Sequence, residues 1–172
     1  MNLNNEIFLF INQGMANPTL DFVVLKILIP LFLLLGIVPF LMLFFKKYRN
    51  LGVFSLISGA LCYGIGHLLK ILFSFPRPYD VLSARTIGPW HISEFSFPSS
   101  TTMLAFGLAL PFLIKKSKFR YPFLILAFLV GFTVIYTGFH FPRDVIAGIF
   151  FSLFVVFSLN EIRKRWQKKL KV

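Results

Sequence analysis

The chain has 172 residues, of which 57% are hydrophobic and 14% charged, with 24 Phe and a mean hydropathy of +0.79; one soluble core of this length cannot cover that much apolar surface, so lipid must. Eighteen Lys and Arg against six acidic residues give a net charge of +12, but the cations fall in short blocks between apolar runs, without a basic face or aromatic platform, which excludes nucleic-acid binding. The single Cys62 lies in an apolar run, which excludes a disulfide framework and a Cys-based metal site.

Residues 1–20 lack the basic start, continuous apolar stretch and small-residue cleavage site of a secretory signal, so the segment is expected to stay on the mature protein. Ile7, Phe8, Phe10 and Ile11 beside Asn and Glu predict a short amphipathic helix lying in the membrane interface, ended by Asn17-Pro18-Thr19. Residues 21–45 form the first predicted crossing, long enough for about 30 Å of hydrocarbon, with kinks at Pro30 and Pro39. Residues 51–73 form the second, and its Gly52, Gly59, Gly64 and Gly66 allow close helix approach, which places it centrally. A long connection, 74–98, precedes the third, fourth and fifth crossings at 99–114, 121–137 and 143–160, the third being short enough to need an interfacial extension. No internal repeat or linker divides the chain. The expectation is one all-α domain over 1–172, an integral-membrane bundle of about five transmembrane helices plus an N-terminal interfacial helix.

The basic residues orient this bundle. Blocks at 46–49, 115–120 and 163–171 hold thirteen of the eighteen cations and fall on one side, which is expected to be cytoplasmic. The 74–98 connection and the 137–143 turn then emerge together on the opposite face, with Lys70, Arg77, Arg85 and Arg143.

Lys70 in an apolar helix end costs about 2.5 to 3.5 kcal/mol at mid-bilayer unless it snorkels or meets an anion. Arg77 follows in Phe75-Pro76-Arg77-Pro78, so an ammonium and a guanidinium can converge on one phosphate, to which the guanidinium fork is matched. In Gly138-Phe139-His140-Phe141-Pro142-Arg143-Asp144, one helical turn separates His140 from Asp144. Such a pair is either a nucleophile with the carboxylate that fixes its tautomer or a fragment of a metal site; no second motif with metal-ligand spacing is present, which weighs against metal. Ser99, Ser100 and Thr101 open the third helix after Pro98, where free amides and hydroxyls suit an anion. His67, one turn before Lys70, reads as a buried hydrogen-bonding residue between helices, and Asp80 and Glu94 as partners for Arg85 within the long loop.

This arrangement resembles the type 2 phosphatidic acid phosphatase superfamily, whose signature runs Lys-x6-Arg-Pro, Pro-Ser-Gly-His, then Ser-Arg-x5-His-x3-Asp. Lys70 to Arg77-Pro78 fits the first motif, and 136–148 around His140 and Asp144 looks like the surroundings of the third. The resemblance covers roughly 51–159. It implies an acid-phosphatase type of helical bundle and a metal-independent, cofactor-free lipid phosphatase working through a phosphohistidine. On that analogy His140 is the nucleophile, Asp144 its orienter, and Lys70 and Arg77 the phosphate ligands. The chain departs from the pattern twice. Pro98-Ser99-Ser100-Thr101 lacks the family's general-acid His, and Thr133-Val134 replaces Ser-Arg. Arg143 and His91 are the candidate substitutes for the missing groups, and Arg85 is an auxiliary candidate for contact with substrate.

The resulting expectation is hydrolysis of a lipid phosphate or diphosphate at the outer face of a bacterial inner membrane. The substrates envisaged are undecaprenyl diphosphate, the 1-phosphate of lipid A and phosphatidylglycerophosphate, with the good leaving groups of the first two favoured. The alternative is a catalytically silent homologue that binds lipid phosphate without cleaving it.

Overall fold

A computed structural model describes residues 2–88 and 94–169, and all regular elements among them are helical. Helix α1, Leu3–Leu9, is capped by the Asn2 side chain on the Asn5 amide and continues through a wider turn over Phe10–Gly14. Helix α2, Pro18–Met42, starts at an Asn17 cap with Pro18 in its first turn. It widens at Val23–Leu28 just before Pro30, whose missing N–H and ring break the regular ladder. Helix α3, Arg49–Phe73, ends at Ser74, whose positive φ of 48° turns the chain out of the helix. A short α4, Pro78–Val81, lies in the long connection. The remaining helices are α5, Ser100–Ile114; α6, Arg120–Tyr136; and α7, Pro142–Lys169.

By length and composition α2, α3 and α7 can each cross a membrane, while α5 and α6 are shorter apolar helices of 15 and 17 residues. The observed α7 runs past the expected end at 160, because the basic tail that follows is built of good helix formers.

Helix α5 is the hub, packed against α3, α6 and α7. Its contact with α3 is close because a Cβ on Gly107 would stand 2.9 Å from the Gly59 Cα. Hydroxyls tie the same seam: Ser55 Oγ donates to the Leu108 carbonyl at 2.7 Å, and Ser152 Oγ of α7 to that of Met103 at 3.2 Å. Large side chains such as Leu72, Phe150 and Phe154 point away from the bundle, as a lipid solvent allows. The basic blocks collect where α2 ends and α3 begins, between α5 and α6, and at the end of α7. Lys70, Ser100, Tyr136 and Pro142 mark the other end.

The N-terminal segment docks on the bundle, with Phe8 against Phe141 and Asn12 fully buried. The Asn12 amide donates to the carbonyls of Arg85 and Tyr136 at 2.7 and 2.9 Å and accepts from the Arg85 amide at 2.9 Å. Arg85 grips both carboxylate oxygens of Asp21 at 2.8 and 2.7 Å, and the Tyr136 hydroxyl donates to Asp21 at 2.6 Å. This corrects the expected pairing of Arg85 with Asp80 or Glu94: α2 brings Asp21 to the guanidinium, while Asp80 accepts from the Arg77 amide at the start of α4.

Candidate active site

Four charged or titratable side chains meet at the end of the bundle opposite the basic blocks. Lys70 comes from the last turn of α3, Arg77 from the residue before α4, and His140 and Asp144 from the turn into α7. All are buried, at 2%, 5%, 3% and 0% exposure, an expense of desolvation that ordinary packing does not explain. Loop carbonyls hold the cations in place: Lys70 Nζ donates to Phe95 O, and Arg77 to Phe139 O, both at 2.8 Å.

Gly138 lets the chain reach His140. Its φ of +89° suits glycine, and a Cβ there would overlap the Arg85 carbonyl oxygen. The His140 Nδ1 lies 3.6 Å from Asp144 Oδ2, longer than a direct hydrogen bond. Ser96 completes the contact: its hydroxyl donates to Asp144 Oδ2 and lies 3.5 Å from His140 Nδ1. Asp144 Oδ2 also accepts from the Phe141 amide at 2.8 Å. Nδ1 is thus turned to the carboxylate side, leaving Nε2 as the nitrogen with a free lone pair. Burial pushes the imidazole down to about 4; the charges of Lys70 and Arg77 act in the same direction and Asp144 opposes them, so the ring is neutral at neutral pH.

Lys70, Arg77 and His140 form one end of a cavity of about 340 Å³, which Ser100 and Thr101 also line. The rest of its wall is mainly apolar, including Phe32 and Leu33 of α2, Leu104 and Leu108 of α5, and Val130 of α6. Thr133 and Val134 face the same space, so the position where the family pattern has Arg is an apolar part of the wall. Ser99 is engaged elsewhere: its hydroxyl caps α5 by accepting from Thr102, and its amide donates to the Asp144 carbonyl at 3.0 Å.

Of the auxiliary candidates, Arg143 lies over the Phe75 and Phe141 rings with its Nε 3.6 Å from Asp144 Oδ1. Arg85 is committed to Asp21, and His91 lies outside the described residues. His67 departs from expectation. It is half-buried, edge-on to Tyr63 with ring centroids 4.5 Å apart, and it lines the cavity. Ser96 escaped the sequence reading because it precedes Asp144 by 48 residues and no local pattern marks it.

The chain is 30% identical over 93 residues to the undecaprenyl-diphosphatase BcrC of Bacillus subtilis (strain 168), covering 54% of this chain and 48% of that protein. To the bacitracin transport permease protein BcrC of Bacillus licheniformis it is 30% identical over 169 residues, covering 93% of this chain and 82% of the relative. The fold is similar to the crystal structure of Aquifex aeolicus LpxE, with a TM-score of 0.68, 28% identity and coverage of 91% and 94% of the two chains. A lipid-facing bundle with a phosphate-suited polar end is thus joined to a matching sequence pattern over residues 27–168, and the chain belongs to the PAP2 superfamily.

Proposed function

We propose that this chain removes a phosphate from a membrane lipid through a phosphohistidine at His140. One observation carries the reading: two buried cations and a neutral imidazole converge on the polar end of a cavity that is otherwise apolar. Phosphate oxygens are bound by Lys70 Nζ and the Arg77 guanidinium, with Ser100 and Thr101 at the mouth of α5 adding polar contacts. Nε2 of His140 attacks phosphorus, and Asp144, acting with Ser96, holds the ring and stabilises the cation that forms. Water then releases phosphate from the histidine.

The lipid portion lies along the apolar wall, and the positive-inside rule puts the polar end at the outer face of a bacterial plasma membrane. A polyprenyl diphosphate is the leading substrate class, supported by the named activity of the Bacillus subtilis relative and by the ease with which a phosphate group leaves. The test is phosphate release by the purified chain from undecaprenyl diphosphate, phosphatidylglycerophosphate and lipid A, with and without chelator, beside His140→Ala. Chelator-resistant turnover, lowered at least about 10³-fold by the substitution, is the expected result. Thr101 and Val134 in the cavity wall, where the family pattern has His and Arg, favour a second reading as a silent lipid-phosphate binder. Retained binding without turnover would establish that alternative.

A further inference from the structure

The reaction proposed above leaves one proton without a source. When the bond between phosphorus and the bridging oxygen breaks, the lipid leaves as a monophosphate from a diphosphate or as an alkoxide from a monoester, and the alkoxide departs slowly unless a side chain protonates it. The position of the family's acid is Thr101, whose hydroxyl holds its proton too tightly for the task at neutral pH.

The wall of the cavity contains a group that the proposed steps do not otherwise use. Tyr63, His67 and Lys70 follow one another at i, i+4 and i+7 on α3, and all three line the cavity. Lys70 stands at the phosphate end beside Arg77 and His140. Toward Tyr63 the surrounding wall becomes apolar, with Phe32, Leu33, Leu104 and Leu108. His67 sits between the two zones, about 4.5 Å from Lys70 along the helix axis. A lipid with its phosphate on Lys70 and Arg77 and its chain along the apolar wall carries its bridging oxygen past this position. Among the described cavity-lining side chains other than the nucleophile, His67 carries the one imidazole, the group that ordinarily exchanges a proton near neutral pH. The edge-on contact with Tyr63 supports one side of the ring.

We infer that His67 is the general acid of this site, placed on α3 at the junction of the phosphate and lipid-chain portions of the cavity. The inference rests on the phosphatase reading. In the first step the His140 Nε2–P bond forms and the P–O bond to the lipid breaks. The leaving oxygen takes a proton from the His67 imidazolium, giving the lipid alcohol from a monoester or the protonated lipid monophosphate from a diphosphate, and a neutral His67. In the second step water attacks the phosphohistidine, His67 accepts the water proton, and inorganic phosphate leaves with both histidines restored.

The experiment is leaving-group release in the first turnover by the purified full chain, from dioleoyl phosphatidic acid and from p-nitrophenyl phosphate. The first substrate expels an alkoxide that requires a proton, and the second a stabilised phenolate that does not. For His67→Gln the ratio of diacylglycerol release to nitrophenolate release is expected to fall about 10²- to 10⁴-fold. A ratio within about threefold of that of the unaltered chain overturns the assignment, whether both rates fall together or neither changes, since a merely structural His67 affects both substrates alike. His140→Ala separates the two levels of the argument by abolishing both releases. Absence of phosphate release by the unaltered chain from undecaprenyl diphosphate, phosphatidic acid and p-nitrophenyl phosphate alike overturns the phosphatase reading itself, and the role of His67 with it.

Discussion

Ser96 shows what one hydroxyl contributes at this site. It is fully buried, donates to Asp144 Oδ2 and approaches His140 Nδ1, so it bridges a carboxylate and an imidazole too far apart to bond directly. Ser96→Ala leaves Asp144 short of a donor and His140 free to rotate. Loss of such a buried hydrogen bond costs about 1 to 3 kcal/mol, so kcat is expected to fall roughly 5- to 150-fold with KM little changed. Steady-state kinetics on the best substrate checks this, and KM rising in step with an unchanged kcat would instead make Ser96 a binding residue. Lys70, Arg77, His140 and Asp144 were legible in the sequence because buried charge in an apolar chain is costly and their spacing repeats a known pattern. Ser96 was not, since its contacts arise from the path of the loop. Nor was the placement of His67, because helical periodicity alone does not distinguish a helix seam from a cavity wall.

At the scale of elements, the bundle depends on a polar clasp between three segments distant in sequence. The start of α2 supplies Asp21, the long connection Arg85, and the end of α6 Tyr136, with Asn12 filling the space behind them. The clasp lies next to Gly138, two residues before the nucleophile, and the Ile87 amide donates to the Thr137 carbonyl at 3.2 Å beside it. A double-mutant cycle of Asp21→Asn and Arg85→Gln, read by thermal unfolding in detergent, is expected to give a coupling of about 1 kcal/mol. The value is modest because the two side chains are 28% and 30% exposed. Additive effects would show that the pair does not brace the loop. The helices themselves were readable from the apolar runs to within a few residues, apart from the longer α7. The partner of Arg85 was not: Asp21 precedes it by 64 residues, whereas Asp80 and Glu94 are its near neighbours in the chain.

For the molecule as a whole, the basic blocks lie at one end of the described bundle and the polar cavity mouth at the other, and on the positive-inside rule we propose that the polar end faces outward. In a Cys62→Ser background, a membrane-impermeant maleimide applied to intact cells is expected to label Ser83→Cys and to spare Lys118→Cys. Both positions are exposed, so the reverse pattern would mean that the site opens to the cytoplasm. The apolar wall of the cavity also bears on how this protein behaves once removed from its bilayer. An alkyl detergent is an amphiphile of the kind that Phe32, Leu33, Leu104 and Leu108 can accommodate, so the solubilising agent competes with the lipid for the same space. The quantity that sets occupancy is then the mole fraction of lipid in the micelle rather than its molarity, and at constant total lipid, dilution with a longer-chain detergent will resemble competitive inhibition.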